Sequence, residues 1–116
     1  MNFGFPAKER LKSKKQIEQL FESGQSVVLY PLKAWYLPVD ADAGTKVAFA
    51  VPKKSFKRAV DRNRIKRQMR EAYRLNKANW DKGDKEYHVL LLYMDKQMPA
   101  YQKLEQSMLV LLNKLV

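Results

Sequence analysis

Hydrolysis of a phosphodiester by a protein needs a cluster of carboxylates to hold metal ions, or a pair of histidines to move protons. This sequence is poor in both. Cysteine is absent and His88 is the only histidine. A thiolate zinc site, a cysteine nucleophile and a histidine pair are therefore excluded together. The acid pairs Asp40 with Asp42 and Asp81 with Asp84 stand in polar stretches that read as turns, where aspartate serves the turn itself. His88, within an apolar run, reads as a hydrogen-bonded structural residue. The expectation is a protein with no catalytic residue and no metal site of its own.

Cations dominate instead. The chain has 116 residues, with 23 Lys and Arg against 12 acids, a net charge of +11. Between Lys53 and Lys85 lie thirteen of the bases and four of the acids. At 100° per residue, Asn63, Arg67, Arg70, Arg74 and Lys77 form one stripe of a helix, flanked by Arg64 and Lys66. Ile65, Met69 and Ala72 fall on the opposite side, and Arg62 nears their margin. The result is a positive rail about 20 Å long. A face kept only for solubility mixes its signs. Here like charges repel at a few tenths of a kcal/mol per pair, a cost that phosphates between them would reverse. Arginine forks onto phosphate oxygens, so the rail reads as a nucleic-acid surface.

The elements that position this rail follow from periodicity. Residues 1–12 read as an arm with two aromatic pegs, Phe3 and Phe5, and the bases Lys8, Arg10 and Lys12. Ser13 with Gln16 resembles a capping box, and Ile17, Leu20 and Phe21 share a face of the short helix that follows. Gly24 stops it. Residues 26–39 and 46–51 favour strands, the first split or placed at an edge by Pro31. A helix is expected over about Phe56–Asn79 and a loop around Trp80–Asp84. Tyr87–Met94, apolar on both faces, reads as a covered central strand, and Pro99 opens a last helix. A strand, long helix and strand in succession imply a parallel pair, so the sheet is mixed. One domain, residues 1–116, accounts for the length.

RNA suits this order better than DNA. The basic helix has no helix–turn–helix or zipper setting, whereas sheet faces with aromatics suit unpaired bases. No apolar run is long enough for a bilayer and the N-terminus lacks the apolar core of a secretory signal, so a cytoplasmic protein is expected. Composition alone would also admit a ribosomal protein or an RNA chaperone.

The run from Val51 to Tyr73 is more specific. It contains Lys53-Lys54, Ala59-Val60, Arg62-Asn63-Arg64, Lys66-Arg67 and Arg70. This closely resembles the signature of the protein subunit of bacterial ribonuclease P, in both residue types and spacing. The resemblance implies an α+β fold, a two-layer α–β sandwich in the order αβββαβα like the second domain of ribosomal protein S5. It also implies a four-stranded mixed sheet with a left-handed βαβ crossover. It implies a holoenzyme that removes the 5′ leader of precursor tRNA, with chemistry done by the RNA subunit and its magnesium. Lys53, Lys54, Arg62, Asn63, Arg64, Lys66, Arg67, Arg70 and Arg74 are then expected to meet that catalytic RNA. Phe21, Lys33 and Trp35 are expected to line a cleft for the single-stranded leader, with Ile17 where the family often has phenylalanine. Trp35 has two readings, a stacking platform or a core residue under the first helix.

Overall fold

The computed structural model describes residues 5–115. Helix α1 spans Lys14–Ser23, with the Ser13 hydroxyl accepting from the Gln16 amide at 3.3 Å, one half of the expected box. Strands β1, Gln25–Leu29, and β2, Leu32–Val39, form a hairpin whose turn holds Pro31 after a cis peptide bond. Proline thus splits the stretch, as its missing amide requires. Strand β3 is Lys46–Ala50, helix α2 is Ala59–Asn76, strand β4 is Glu86–Tyr93 and helix α3 is Tyr101–Leu112. The sheet order is β1-β2-β4-β3, antiparallel except for the parallel β3–β4 pair joined through α2.

Helix α2 is shorter than its periodicity suggests. Pro52 opens a turn in which its carbonyl accepts from the Ser55 and Phe56 amides, so the helix starts only after Arg58. At the other end the backbone tightens into a 3-10 turn over Lys77–Asn79. Gly24 ends α1, but not through a left-handed conformation, since its φ is −79°. A Cβ there would lie 2.4 Å from the Leu20 oxygen and 2.9 Å from the Tyr36 oxygen. Glycine is needed because two backbones meet.

Side chains alternate across the sheet and give it two covered faces. On one, Leu32, Ala34, Tyr36, Val47, Tyr87, Val89, Leu91 and Tyr93 pack against Ile65, Met69, Ala72 and Tyr73 of α2 and Leu104, Met108, Leu111 and Leu112 of α3. This is the main core. Each fully buried aliphatic side chain contributes about 1.5–3 kcal/mol. Trp80 belongs to it, stacked on Tyr87 at 5.8 Å. The loop expected around it is thus anchored by its first residue. On the opposite face Leu20 of α1, Leu11 and Leu90 form a second, smaller cluster, with Ile17, Trp35, Leu37, Ala48 and Ala50 against it. The sheet with α2 and α3 is the expected sandwich, and α1 adds a partial layer behind it.

Phe5 is the peg the sequence suggests, edge-on to both Phe49 and Tyr73 at 5.7 Å. Phe3 lies outside the described residues. The arm continues along the edge of β3, where the Leu11 amide donates to the Val47 carbonyl at 3.0 Å and Arg10 pairs with Val47 as a parallel bridge.

Candidate nucleic-acid interface

The rail is built on α2 because its apolar stripe faces the sheet and leaves the rest to solvent. Lys53 and Lys54 are exposed beyond the end of β3, and Asn63, Arg64, Arg67 and Arg70 are exposed along the first three turns of the helix. Lys66 is half-buried on the flank toward the arm. Among the described residues, these cations have no carboxylate partner.

Three of the expected positions behave differently. The Arg62 guanidinium turns back, and one Nη1 donates to the Phe56 carbonyl at 2.8 Å and the Lys57 carbonyl at 2.9 Å. It pins the loop that precedes the helix. Arg74 forks onto the Glu71 carboxylate, with Nε 3.0 Å from Oε2. The hydrogen bond to Arg74 holds the Glu71 carboxyl below its usual range, and the same bond raises Arg74. Lys77 meets Glu9 of the arm at 2.8 Å. The stretch without acid partners therefore runs from Asn63 to Arg70, about 10 Å of helix. The expected rail continued through Arg74 and Lys77, which carry acid partners instead.

A second surface lies on the other side of the sheet, beside α1. Phe21 is half exposed and meets the Trp35 ring edge-on, with centres 5.1 Å apart. The Lys33 ammonium sits 4.5 Å from the centre of the same ring. Trp35 packs against the Leu20 cluster, as the core reading expects, and stays partly open. Ile17 packs on that cluster as part of the floor. The strand register places Val28, Lys33, Leu92 and Ala50 in one row across the sheet beside these rings. Val28 is exposed and the other three are partly so. Periodicity alone did not mark Val28 and Leu92, because cross-strand register decides which residues share a row.

His88 is buried on this face, in the row between Leu37 and Lys46. Its Nε2 has no hydrogen-bond partner among the described residues, so the expected hydrogen-bonded role is not met at that nitrogen. Burial, reinforced by the Lys46 ammonium, pushes its pKa down and favours the neutral form. Among the described residues, no three histidines or acids come together as a metal site, and no helix is long and apolar enough to cross a membrane.

The sequence profile of the family described as Ribonuclease P matches residues 5–116. The ribonuclease P protein component of Porphyromonas gingivalis is 35% identical over 112 residues, covering 91% of this chain and 82% of that protein. This chain belongs to the ribonuclease P protein family. The ribonuclease P protein component of Chlorobium phaeobacteroides is 34% identical over 123 residues, covering 92% of this chain and 84% of its own. Solved ribonuclease P proteins share the fold. That of Thermotoga maritima superposes with a TM-score of 0.77 at 22% identity, covering 93% of this chain and 98% of that one. That of Staphylococcus aureus gives 0.74 at 19%, covering 91% and 94%. The chain is thus an RNA-binding protein component of a ribonucleoprotein endoribonuclease that acts in tRNA processing.

Proposed function

We propose that the two surfaces serve two RNAs of the ribonuclease P reaction. The α2 surface, with Lys53, Lys54, Asn63, Arg64, Lys66, Arg67 and Arg70, binds the backbone of the catalytic RNA. Arg62 acts indirectly, by holding the loop that carries Lys57 against the helix. The cleft of Phe21, Lys33 and Trp35, floored by Ile17, takes unpaired nucleotides of the 5′ leader of precursor tRNA. The carrying observation is separation with different chemistry. Cations such as Arg64, Arg67 and Arg70, with no ion pair among the described residues, project from the helix on one face of the sheet, while two half-open aromatic rings and a lysine sit on the other. Phosphates suit the first, and base faces suit the second at about 1–3 kcal/mol per stack.

The magnesium of the reaction is held by the RNA in this reading. The described residues of the protein bring no set of carboxylates together to share it. DNA and membranes have no part, and the cytoplasm is where such processing takes place.

The test compares Arg67→Ala with Phe21→Ala. Arg67→Ala weakens assembly with the catalytic RNA and affects every substrate equally. Phe21→Ala leaves assembly intact and loses affinity only for substrates with a leader of several nucleotides. Equal loss on leaderless substrate would make Phe21 a packing residue and remove the cleft.

A further inference from the structure

The docked arm creates a surface that neither the rail nor the cleft includes. A groove at the edge of β3 is lined by Phe5, Arg10, Lys12, Ala48, Lys66 and Arg70, among others. Four cations face it, and no acid does. Two come from the arm and two from α2, so residues more than fifty positions apart converge. None of the four has an ion-pair partner among the described residues. The nearest arm acid, Glu9, is taken by Lys77.

The arm is held in place before any ligand arrives. Phe5 wedges between Phe49 and Tyr73, and the Leu11 amide bonds to Val47. Arg10 is aimed by its own neighbours, since its Nε donates to the Phe5 carbonyl at 3.1 Å and its guanidinium lies 5.3 Å over the Phe5 ring. Its two terminal nitrogens have no hydrogen-bond partner among the described residues. Arg10 and Arg70 supply planar forks and Lys12 and Lys66 supply point charges, the combination that fits phosphate oxygens. Four like charges gathered without a counter-charge cost stability unless an anion joins them.

The groove also has a direction. Val47 and Phe49 point to the α2 side of β3 and Ala48 to the α1 side, and all three line it. It therefore wraps the sheet edge, from the flank of the rail at Lys66 and Arg70 to Lys12, next to the start of α1. We infer that this groove is a phosphodiester-binding site, along which a strand of the catalytic RNA passes around the edge of β3 and over the docked arm. The inference rests on the reading that α2 meets that RNA, and it adds Arg10 and Lys12 as ligands of the same backbone.

Lys12 is exposed and has no side-chain hydrogen bond or ion pair among the described residues, so Lys12→Gln is the informative variant. It should bind the catalytic RNA about 5-fold more weakly near 0.15 M salt, with the salt slope shallower by about 1. The chain has no cysteine, so Lys12→Cys and Arg67→Cys each give a single thiol for a tethered iron–EDTA probe in the assembled ribonucleoprotein. Cuts in the catalytic RNA from both positions support the site. Cuts from position 67 with none from position 12, or cuts from position 12 confined to the tRNA leader, overturn it while leaving the proposed function standing. Cuts from neither position overturn both. Unchanged affinity and slope in Lys12→Gln also overturn it.

Discussion

The Lys33 ammonium lies over the Trp35 ring, 4.5 Å from its centre, while Phe21 meets the same ring edge-on. A partly exposed cation–π contact is worth about 0.5–1 kcal/mol, less than the ~1–3 kcal/mol of a stacked base. If the proposed cleft takes the leader, a nucleotide should displace the lysine from the ring and leave its ammonium placed for the adjoining phosphate. Trp35 should report this. Of the two tryptophans, Trp80 is buried in the main core, so quenching of emission by a leader oligonucleotide persists in Trp80→Phe and vanishes in Trp35→Phe. Lys33→Gln keeps the quenching and makes the salt dependence of leader binding shallower by about 1. Quenching that survives Trp35→Phe would place the leader elsewhere.

Salt dependence of assembly tests the length of the rail. With Arg74 and Lys77 already facing carboxylates, the remaining cations should neutralise about 4–6 phosphates, and log K against log salt should fall with a slope of about −3 to −5. Glu71→Gln removes the carboxylate facing Arg74 and should steepen the slope by about 1. An unchanged slope in that variant would mean Arg74 does not reach RNA even without that carboxylate.

Arg62 and Arg67 look alike in the sequence and should differ in urea unfolding. Arg62→Ala removes a charged donor from two carbonyls and should cost about 1–3 kcal/mol. Arg67→Ala, on an exposed site with no ion pair among the described residues, should change stability by no more than about 0.5 kcal/mol. Equal losses would mean that the pinned loop contributes nothing.

His88 gives the fold a pH dependence of known sign. Its pKa is lowered in the folded protein, so between the two pKa values the unfolded chain binds more protons. Its contribution is fully present above about pH 6.5, the unfolded value, and is lost as pH falls toward the folded one. Denaturant midpoints measured downward from pH 7 should therefore decline in the parent protein and decline less in His88→Leu. Parallel declines would assign the effect to other groups.

Legibility differed by residue for physical reasons. Ile65, Met69 and Ala72 marked the buried stripe of α2, and the apolar run at Tyr87–Met94 marked the central strand, because burial writes a period into the sequence. The Lys53 to Arg70 pattern led to the family, since spacing within one segment survives folding unchanged. The fates of Arg62 and Arg74 were hidden, because a guanidinium reaches several partners and the loop at Phe56 had no periodicity to announce it. The arm groove was hidden as well, since it needs Phe5 docked on Phe49 and Tyr73 before Arg10 can face Arg70. The arm cations were visible as residues but not as neighbours of α2.

At Gly24 the carbonyls of Leu20 and Tyr36 leave no room for a methyl group, so the end of α1 rests directly on the main chain of β2. The spacing between the helix that carries Phe21 and the strand that carries Trp35 is thus gauged by backbone contact, independent of the side chains in the gap. In the proposed cleft, exchanging Ile17, Phe21 or Trp35 for other rings or branched chains would retune which nucleotides are gripped, while the aperture keeps its calibre. A single hydrogen atom serves as the stop against which that aperture is set.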